Sequence, residues 1–321
     1  GKTLIQDTVE RLSPLICEEN IIIITNKEQY KNLAGKLKNY KGKIIAEPCG
    51  RNTAPCIGLA AAIINKKDPD AHMIVLPADH RISEKNKFHE IIKQAFLASK
   101  KNKLVTIGIK PTRPETEYGY IELGEVFLDN SIFNVKHFKE KPDKKTAQKF
   151  LEKGNFYWNS GMFMWPVNVI LKEIKDKLPD LYKGIKKIEQ AIDTADFEKI
   201  FSDVYSNLEK ISIDYGILEK SKNVVCIKAS FDWDDLGMWP AMERVFASDK
   251  NNNIIVFGEI ETLDAKNNIC STDDGIISII GLDDIVVVRD KNAVLVCAKD
   301  RARDVKEIVV NLRGKGNLEY L

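Results

Sequence analysis

Apolar residues recur at helical spacing over residues 3–16, and Thr3 stands where an N-cap belongs. Ile21, Ile22, Ile23 and Ile24 follow without a break, a β-branched run of the kind buried on both faces of a parallel sheet. Asn26 then offers a cap for a second helical stretch towards Leu37. The same alternation predicts a strand over 43–46, a helix over 54–64, a strand over 72–76, a helix over 87–99 and a strand over 104–109. Strands alternating with helices predict a doubly wound α/β sheet, whose ligands sit beyond the carboxyl ends of its strands.

From Asn251 the texture changes. Residues 254–257, 269–271, 276–280, 285–288 and 294–297 read as short strands broken by Asp, Asn and Gly. They lie too close together for intervening helices, so they predict an all-β unit. Residues 304–312 read as a closing amphipathic helix. The polar run Ser248-Asp249-Lys250-Asn251-Asn252-Asn253 marks the join. It divides the chain into an α/β domain of residues 1–248 and a small β-rich domain of residues 249–321.

Composition narrows the function classes. The 321 residues are 44% hydrophobic and carry 49 Lys and Arg against 47 Asp and Glu, a net charge of +2. No strongly basic field is present to recruit a polyanion, so nucleic acid is not an expected partner. No apolar run approaches the roughly 18 residues of a membrane span. The sequence opens on Gly1 with no charged-then-apolar leader, and a cytoplasmic location is expected. The six cysteines contain no C-x-x-C pair and read as reduced thiols. The four histidines lack the close spacing of a zinc site.

Several segments carry candidate chemistry. Glu47 to Pro55 leaves a strand and opens a helix, with Gly50 and Pro48 shaping the loop and Asn52 or Thr53 able to cap. An ordinary βα connection has the same composition; the functional reading is a base pocket, because the Glu47 carboxylate matches the N1–H and N2–H₂ edge of guanine. Asp79 follows a buried strand, where a carboxylate either stabilises a turn or serves Mg²⁺, which binds through one or two carboxylates plus substrate phosphate. Asp232, Asp234 and Asp235 sit with Trp233 and Trp239 around Gly237. A helix dipole accounts for two of these acids but hardly for the whole cluster. Gly119, between Tyr118 and Tyr120, allows a close approach of backbone to ligand. Glu140 and Lys141 end a strand and would share a role only across a bend, which Pro142 can help supply. Asn159 lies among aromatics, as in carbohydrate sites, although each of these segments also serves packing.

Taken in order, EPCGRNTAPCIGLAA (47–61), LPADH (76–80), GIKPTRPETEYGYIE (108–122), FKEKPD (138–143), NSGMF (159–163), IDYGILEKS (213–221) and FDWDDLGMW (231–239) resemble the nucleotidyltransferases that make nucleotide sugars. The resemblance is to their mannose-1-phosphate guanylyltransferase branch, also called GDP-mannose pyrophosphorylase. It extends over essentially the whole chain, since the β-rich tail also resembles that family's appendage. It implies a Rossmann-like, GT-A type mixed sheet and a reversible reaction of mannose 1-phosphate with GTP, giving GDP-mannose and pyrophosphate. A sugar-phosphate oxygen would attack the α-phosphorus in line, without a covalent enzyme intermediate.

By the same resemblance, Asp79 and Asp235 would hold Mg²⁺, and with Lys141 they form the expected catalytic set. Glu47, Arg51, Asn52 and Thr53 would bind the nucleotide, with Glu47 and Asn52 facing guanine. Gly119, Glu140 and Asn159 would hold the mannose ring, and Lys141 the sugar phosphate. Family members open with a strand and a glycine-rich loop that cradles the triphosphate; Gly1-Lys2-Thr3 matches the family just after those elements. The chain as read therefore carries an expectation of impaired catalysis. The alternatives are a non-catalytic GDP-mannose-binding or regulatory subunit, and a sibling enzyme for another base or sugar. A homodimer would be unsurprising, with the β-rich tail as candidate contact.

Overall fold

In a computed structural model, residues 2–37 and 39–320 are described, and their contacts fall into two units, Gly1–Trp233 and Asp234–Leu321. The first unit opens with α1 (Leu4–Leu12), β1 (Ile22–Asn26), α2 (Lys27–Lys36), β2 (Lys43–Glu47), α3 (Thr53–Lys67) and β3 (His72–Val75). It continues through β4 (Arg81–Ile82), α4 (Lys85–Ser99), β5 (Leu104–Ile109), β6 (Tyr120–Leu128), β7 (Ile132–Lys139), α5 (Lys144–Lys153) and β8 (Phe156–Pro166). Helices α6 (Val167–Lys177), α7 (Pro179–Ala191) and α8 (Phe197–Tyr205) lead to β9 (Val224–Lys228) and the short β10 (Trp233–Asp234). Asn26 caps α2 as its position predicts, accepting from Gln29 N–H at 2.7 Å.

Six strands form one mixed sheet in the order β3-β8-β5-β9-β7-β6. Only β5 and β9 run parallel within it; the other neighbours are antiparallel, and β6 also pairs with β8. Strands β1 and β2 pair with each other in parallel as a separate two-stranded sheet. The mixed α/β sheet is the one the family resemblance implies, whereas the isoleucine run read as buried on both faces of a parallel sheet lies in the two-stranded sheet, with only Ile23 buried.

Side chains alternate between two cores, as a pleated strand requires. On β8, Phe163 and Trp165 enter a core with α3, α6, α7 and α8, whereas Met162 and Met164 enter one with α4 and Leu12. On β5, Leu104 faces the first core while Val105 and Ile107 face the second. Burial on both faces explains why β8 carries an unbroken apolar run from Met162 to Pro166. Truncating a fully buried side chain such as Trp165 costs about 3–5 kcal/mol in cores of this kind.

The second unit contains β11 (Ile254–Leu263), β12 (Ile269–Ile280), β13 (Ile285–Asp290), β14 (Ala293–Ala298) and α9 (Val305–Gly314). The two short strands expected over 269–271 and 276–280 are one strand, β12, because its Asp and Gly residues bend it without ending it. Facing this bend, β11 carries register shifts around Gly258, whose φ is +88°; Gly275 in β12 has φ +68°. A side chain at Gly258 would come within 2.3 Å of the Thr272 carbonyl oxygen.

Consecutive strands β11, β12 and β13 pair in parallel, whereas β13 and β14 form an antiparallel pair. Ile254 pairs with Ile269, and Ile269 with Val286, so one buried apolar position recurs on each coil. Two buried asparagines repeat with it. The Asn253 side-chain oxygen accepts from Asn268 N–H, and that of Asn268 accepts from Ile285 N–H, each at 3.0 Å. Their nitrogens donate to the Ala265 and Leu282 carbonyls at 3.0 and 2.9 Å. The ladder satisfies turn backbone that would otherwise be buried without partners.

Candidate functional site

The loop after β2 is tied down by the last residue of α8 and the segment after it. The Tyr205 hydroxyl donates to Glu47 Oε1, and Arg51 donates through Nη2 to the Ser206 carbonyl. Ile213 N–H donates to the Thr53 hydroxyl at 2.8 Å, and Ala54 N–H to the Ile211 carbonyl at 3.1 Å. Asn52 has φ +68° and ψ −173°, a strained backbone region that is otherwise almost confined to glycine, and its side-chain oxygen caps α3 through Thr53 N–H at 2.8 Å. Glu47, Arg51, Asn52 and Thr53 therefore share one braced loop. Burial pushes the Glu47 carboxyl up, and the Tyr205 hydrogen bond opposes that rise. Arg51 Nε is buried with no hydrogen-bond partner among the described residues.

A second cluster forms where β6, β7 and β8 meet. Asn159 N–H donates to the Gly119 carbonyl at 2.8 Å, and Lys141 N–H to the Tyr118 carbonyl at 3.2 Å. A Cβ on Gly119 would stand 2.4 Å from Glu140 Oε2 and 3.2 Å from Asn159 Cβ. Only glycine leaves that space, so Gly119, Glu140 and Asn159 lie against one another. The bend that separates Glu140 from its neighbour occurs at Lys141 itself, with φ +45°, immediately before Pro142. Lys141 Nζ lies 4.0 Å from Glu117 Oε2, and its side chain is half exposed.

Glu140 is the chemically unusual member. Its Oε2 is buried without a hydrogen-bond partner among the described residues, while its backbone N–H donates to Glu219 Oε1 at 2.9 Å. Burial first, and then the Asp214 carboxylate, push Glu140 up to about 7; Lys141 opposes this, and Glu219 and Glu117 add to it. The folded chain therefore holds a proton on Glu140 through a range where the unfolded chain, with an ordinary value of 4.5, has released it. Stability linked to this group falls as pH rises from about 4.5 to about 7 and stays reduced above that. Glu140→Gln cannot ionise, so it should raise stability relative to the parent at pH 8, by roughly 1–3 kcal/mol, and have little effect at pH 5. Calorimetric melting at the two pH values checks this; an equal effect at both would refute it.

Asp214 and Glu219 are not among the sequence candidates, although both lie in the segment IDYGILEKS. They bracket a π-helical turn, Asp214–Leu218, in which Glu219 N–H donates to the Asp214 carbonyl at 2.9 Å. Five residues apart on an ordinary α-helix, they would point about 140° away from each other. The wider turn draws them towards one side, a geometry that sequence periodicity does not announce.

The acids of FDWDDLGMW divide by role. Asp232 accepts from Ser83 Oγ at 3.0 Å and pairs with Arg81 at 3.5 Å. Asp234 takes a two-point contact from Arg244, at 2.9 Å through Nη2, and accepts from Leu236 N–H at 2.9 Å. Asp235 is half-buried, and a Cβ on Gly237 would come within 2.8 Å of its Oδ2. Asp79 is exposed on a bend beyond β3 of the first unit. No group of three or more His, Cys, Asp or Glu side chains capable of holding a metal occurs among the described residues. All six cysteines are free thiols. No helix among the described residues is long and apolar enough to cross a membrane.

Comparison with known proteins agrees with this architecture. Residues 1–252 match the Nucleotidyl transferase family, and residues 258–312 match the MannoseP isomerase/GMP-like beta-helix domain. A mannose-1-phosphate guanylyltransferase of Escherichia coli is 36% identical over 330 residues, covering 99% of this chain and 70% of that protein. A solved structure described as a mannose-1-phosphate geranyltransferase, from Thermus thermophilus, superposes with TM-score 0.86 at 32% identity, covering 98% of this chain and 90% of the other. A mannose-6-phosphate isomerase structure from Helicobacter pylori aligns with TM-score 0.63 at 30% identity, over 73% of this chain and 91% of the other. By these matches the chain belongs to the nucleotidyl transferase family and is an enzyme of that family.

Proposed function

We propose that this chain transfers a guanylyl group from GTP to mannose 1-phosphate, releasing pyrophosphate and GDP-mannose. The observation that carries the reading is the buried, unpartnered Glu140 Oε2 facing Gly119 beside Asn159. A buried acceptor left without a partner costs roughly 1–3 kcal/mol, and a sugar hydroxyl would supply the missing donor. The relatives named as mannose-1-phosphate guanylyltransferases support the choice of sugar and base.

The bond made joins a phosphate oxygen of the sugar to the α-phosphorus, and the bond broken releases pyrophosphate from the opposite side. Catalysis of this type is mostly positioning and charge stabilisation. Glu47, with one oxygen taken by Tyr205, keeps acceptor capacity for the guanine N1–H and N2–H₂ edge, and the braced loop of Arg51, Asn52 and Thr53 holds it in place. Gly119, Glu140 and Asn159 orient the mannose ring, and the Lys141 ammonium meets the sugar phosphate. Asp79 and Asp235 are the carboxylates assigned to Mg²⁺, an assignment that suits a cation using one or two protein carboxylates with phosphate and water oxygens. When bound, Mg²⁺ neutralises triphosphate charge. Six free thiols fit a reducing cytoplasmic setting.

Pyrophosphate release with mannose 1-phosphate across GTP, ATP, UTP and CTP, with and without Mg²⁺, tests the reading. The expected result is Mg²⁺-dependent release with GTP exceeding that with every other nucleotide. Greater turnover with UTP would favour a sibling enzyme. Binding of GDP-mannose with no release under any condition would leave a non-catalytic binder instead.

A further inference from the structure

The Asn159 amide is held at both ends. Its oxygen accepts from the Thr106 hydroxyl at 2.9 Å and from Gly161 N–H at 3.4 Å, while its nitrogen donates to Asp214 Oδ1 at 2.9 Å. A side-chain amide has two nearly isosteric ends, and only partners that act one way decide between them. Thr106 does not decide, because a hydroxyl both donates and accepts. The Gly161 N–H only donates, but its contact is long. An ionised Asp214 only accepts, and at 2.9 Å it is the stronger of the two one-way partners.

The environment of Asp214 fits this part. Burial pushes its carboxyl up to about 6, and the hydrogen bond from Asn159 and the Lys141 charge oppose the rise, so at neutral pH the acceptor form predominates. Asp214 opens the π turn whose other end, Glu219, accepts the Glu140 backbone N–H at 2.9 Å. One turn thus grips the side chain of Asn159 and the backbone of Glu140, the two polar groups that flank Gly119. Gly216 lets this turn pack closely, since a Cβ there would approach Leu178 Cδ1 to 2.8 Å.

We propose that Asp214 is a positioning residue of the sugar pocket: it fixes which end of the Asn159 amide the pocket presents, and so sets the discrimination between ring-hydroxyl configurations. The proposal rests on the reading of Gly119, Glu140 and Asn159 as the mannose site. Without Asp214 the Thr106 hydroxyl can turn to accept, leaving only the long Gly161 contact against an inverted amide. An inverted amide offers the wrong hydrogen-bonding group to a hydroxyl, a mismatch that polar sites reject strongly.

Calorimetric dissociation constants for GDP, GDP-mannose and its C2 epimer GDP-glucose decide the matter on the full chain, without requiring turnover. The parent should bind GDP-mannose more tightly than GDP, with weaker binding of GDP-glucose. Asp214→Ala should reduce the GDP-mannose advantage at least tenfold and shrink the epimer preference, leaving GDP affinity within about twofold. Asp214→Asn keeps the shape of the side chain but has an amide that can turn to donate as well as accept, so it should lose both preferences nearly as far as Asp214→Ala. If Asp214→Ala does not fold by circular dichroism, the isosteric Asp214→Asn is the deciding variant, and a folded Asp214→Asn with parental discrimination overturns the assignment in the same way. A parent that discriminates, alongside a folded Asp214→Ala that discriminates equally, overturns the assignment of Asp214 alone. A parent that binds GDP and GDP-mannose equally overturns the mannose site itself, and this inference with it.

Discussion

Asp235→Asn is expected to lower Mg²⁺-dependent pyrophosphate release by about 10²–10³-fold, the scale on which removing one transition-state charge partner acts. Asp79→Asn should do the same. Each change keeps the shape of the side chain and removes its charge, and circular dichroism checks that the fold is kept. Raising Mg²⁺ should recover part of the lost rate if these carboxylates serve the cation. Asp234→Asn tests the neighbouring acid. Its carboxylate is committed to Arg244 and to Leu236 N–H, so its loss should lower the melting temperature of the second unit. An Asp235→Asn enzyme with the parental rate would remove Asp235 from the metal role, and a parental rate in Asp79→Asn would do likewise for Asp79.

Gly119→Ala should be nearly as damaging to activity, for a steric reason. The new methyl would stand 2.4 Å from Glu140 Oε2, well inside contact distance, and 3.2 Å from Asn159 Cβ. The closest atom is the far end of a flexible side chain, so the fold can yield by moving the Glu140 carboxyl. The cost then falls on the pocket rather than on stability. The expected outcome is a fall of about 10²-fold in kcat/KM for mannose 1-phosphate with the KM for GTP little changed, since a misplacement near 1 Å costs on that order. Steady-state kinetics with each substrate varied in turn checks this. An equal rise in both KM values would show that the pocket is not the sugar's.

Much of this molecule is legible in its sequence. The α/β alternation and the helix caps at Asn26 and Asn52 depend on local spacing and local hydrogen bonds, which a linear reading captures. Gly119, Glu140 and Asn159, grouped by the family resemblance, do approach one another. What escapes is set by geometry at a distance. Tyr205 reaches Glu47 and Asp214 reaches Asn159 across long stretches of chain, and neither Tyr205 nor Asp214 lies on a periodic pattern pointing at its partner. The π turn defeats the helical period by which Asp214 and Glu219 would be assigned to faces. In the second unit the all-β character is plain from the crowding of short apolar runs. Its parallel stacking is not, because parallel strands ordinarily require a long crossover, and here each coil is itself the crossover.

The asparagine repeat at 253 and 268 makes the β-helical unit modular in one direction only. Each rung closes its own corner with its amide nitrogen and offers its oxygen to the next, so the chain could grow or shrink along the stack by complete rungs with every corner still satisfied. The coil from Ile254 to Ile269 and the coil from Ile269 to Val286 already differ in length, so extra residues are taken up between the corners while the paired apolar column stays in register.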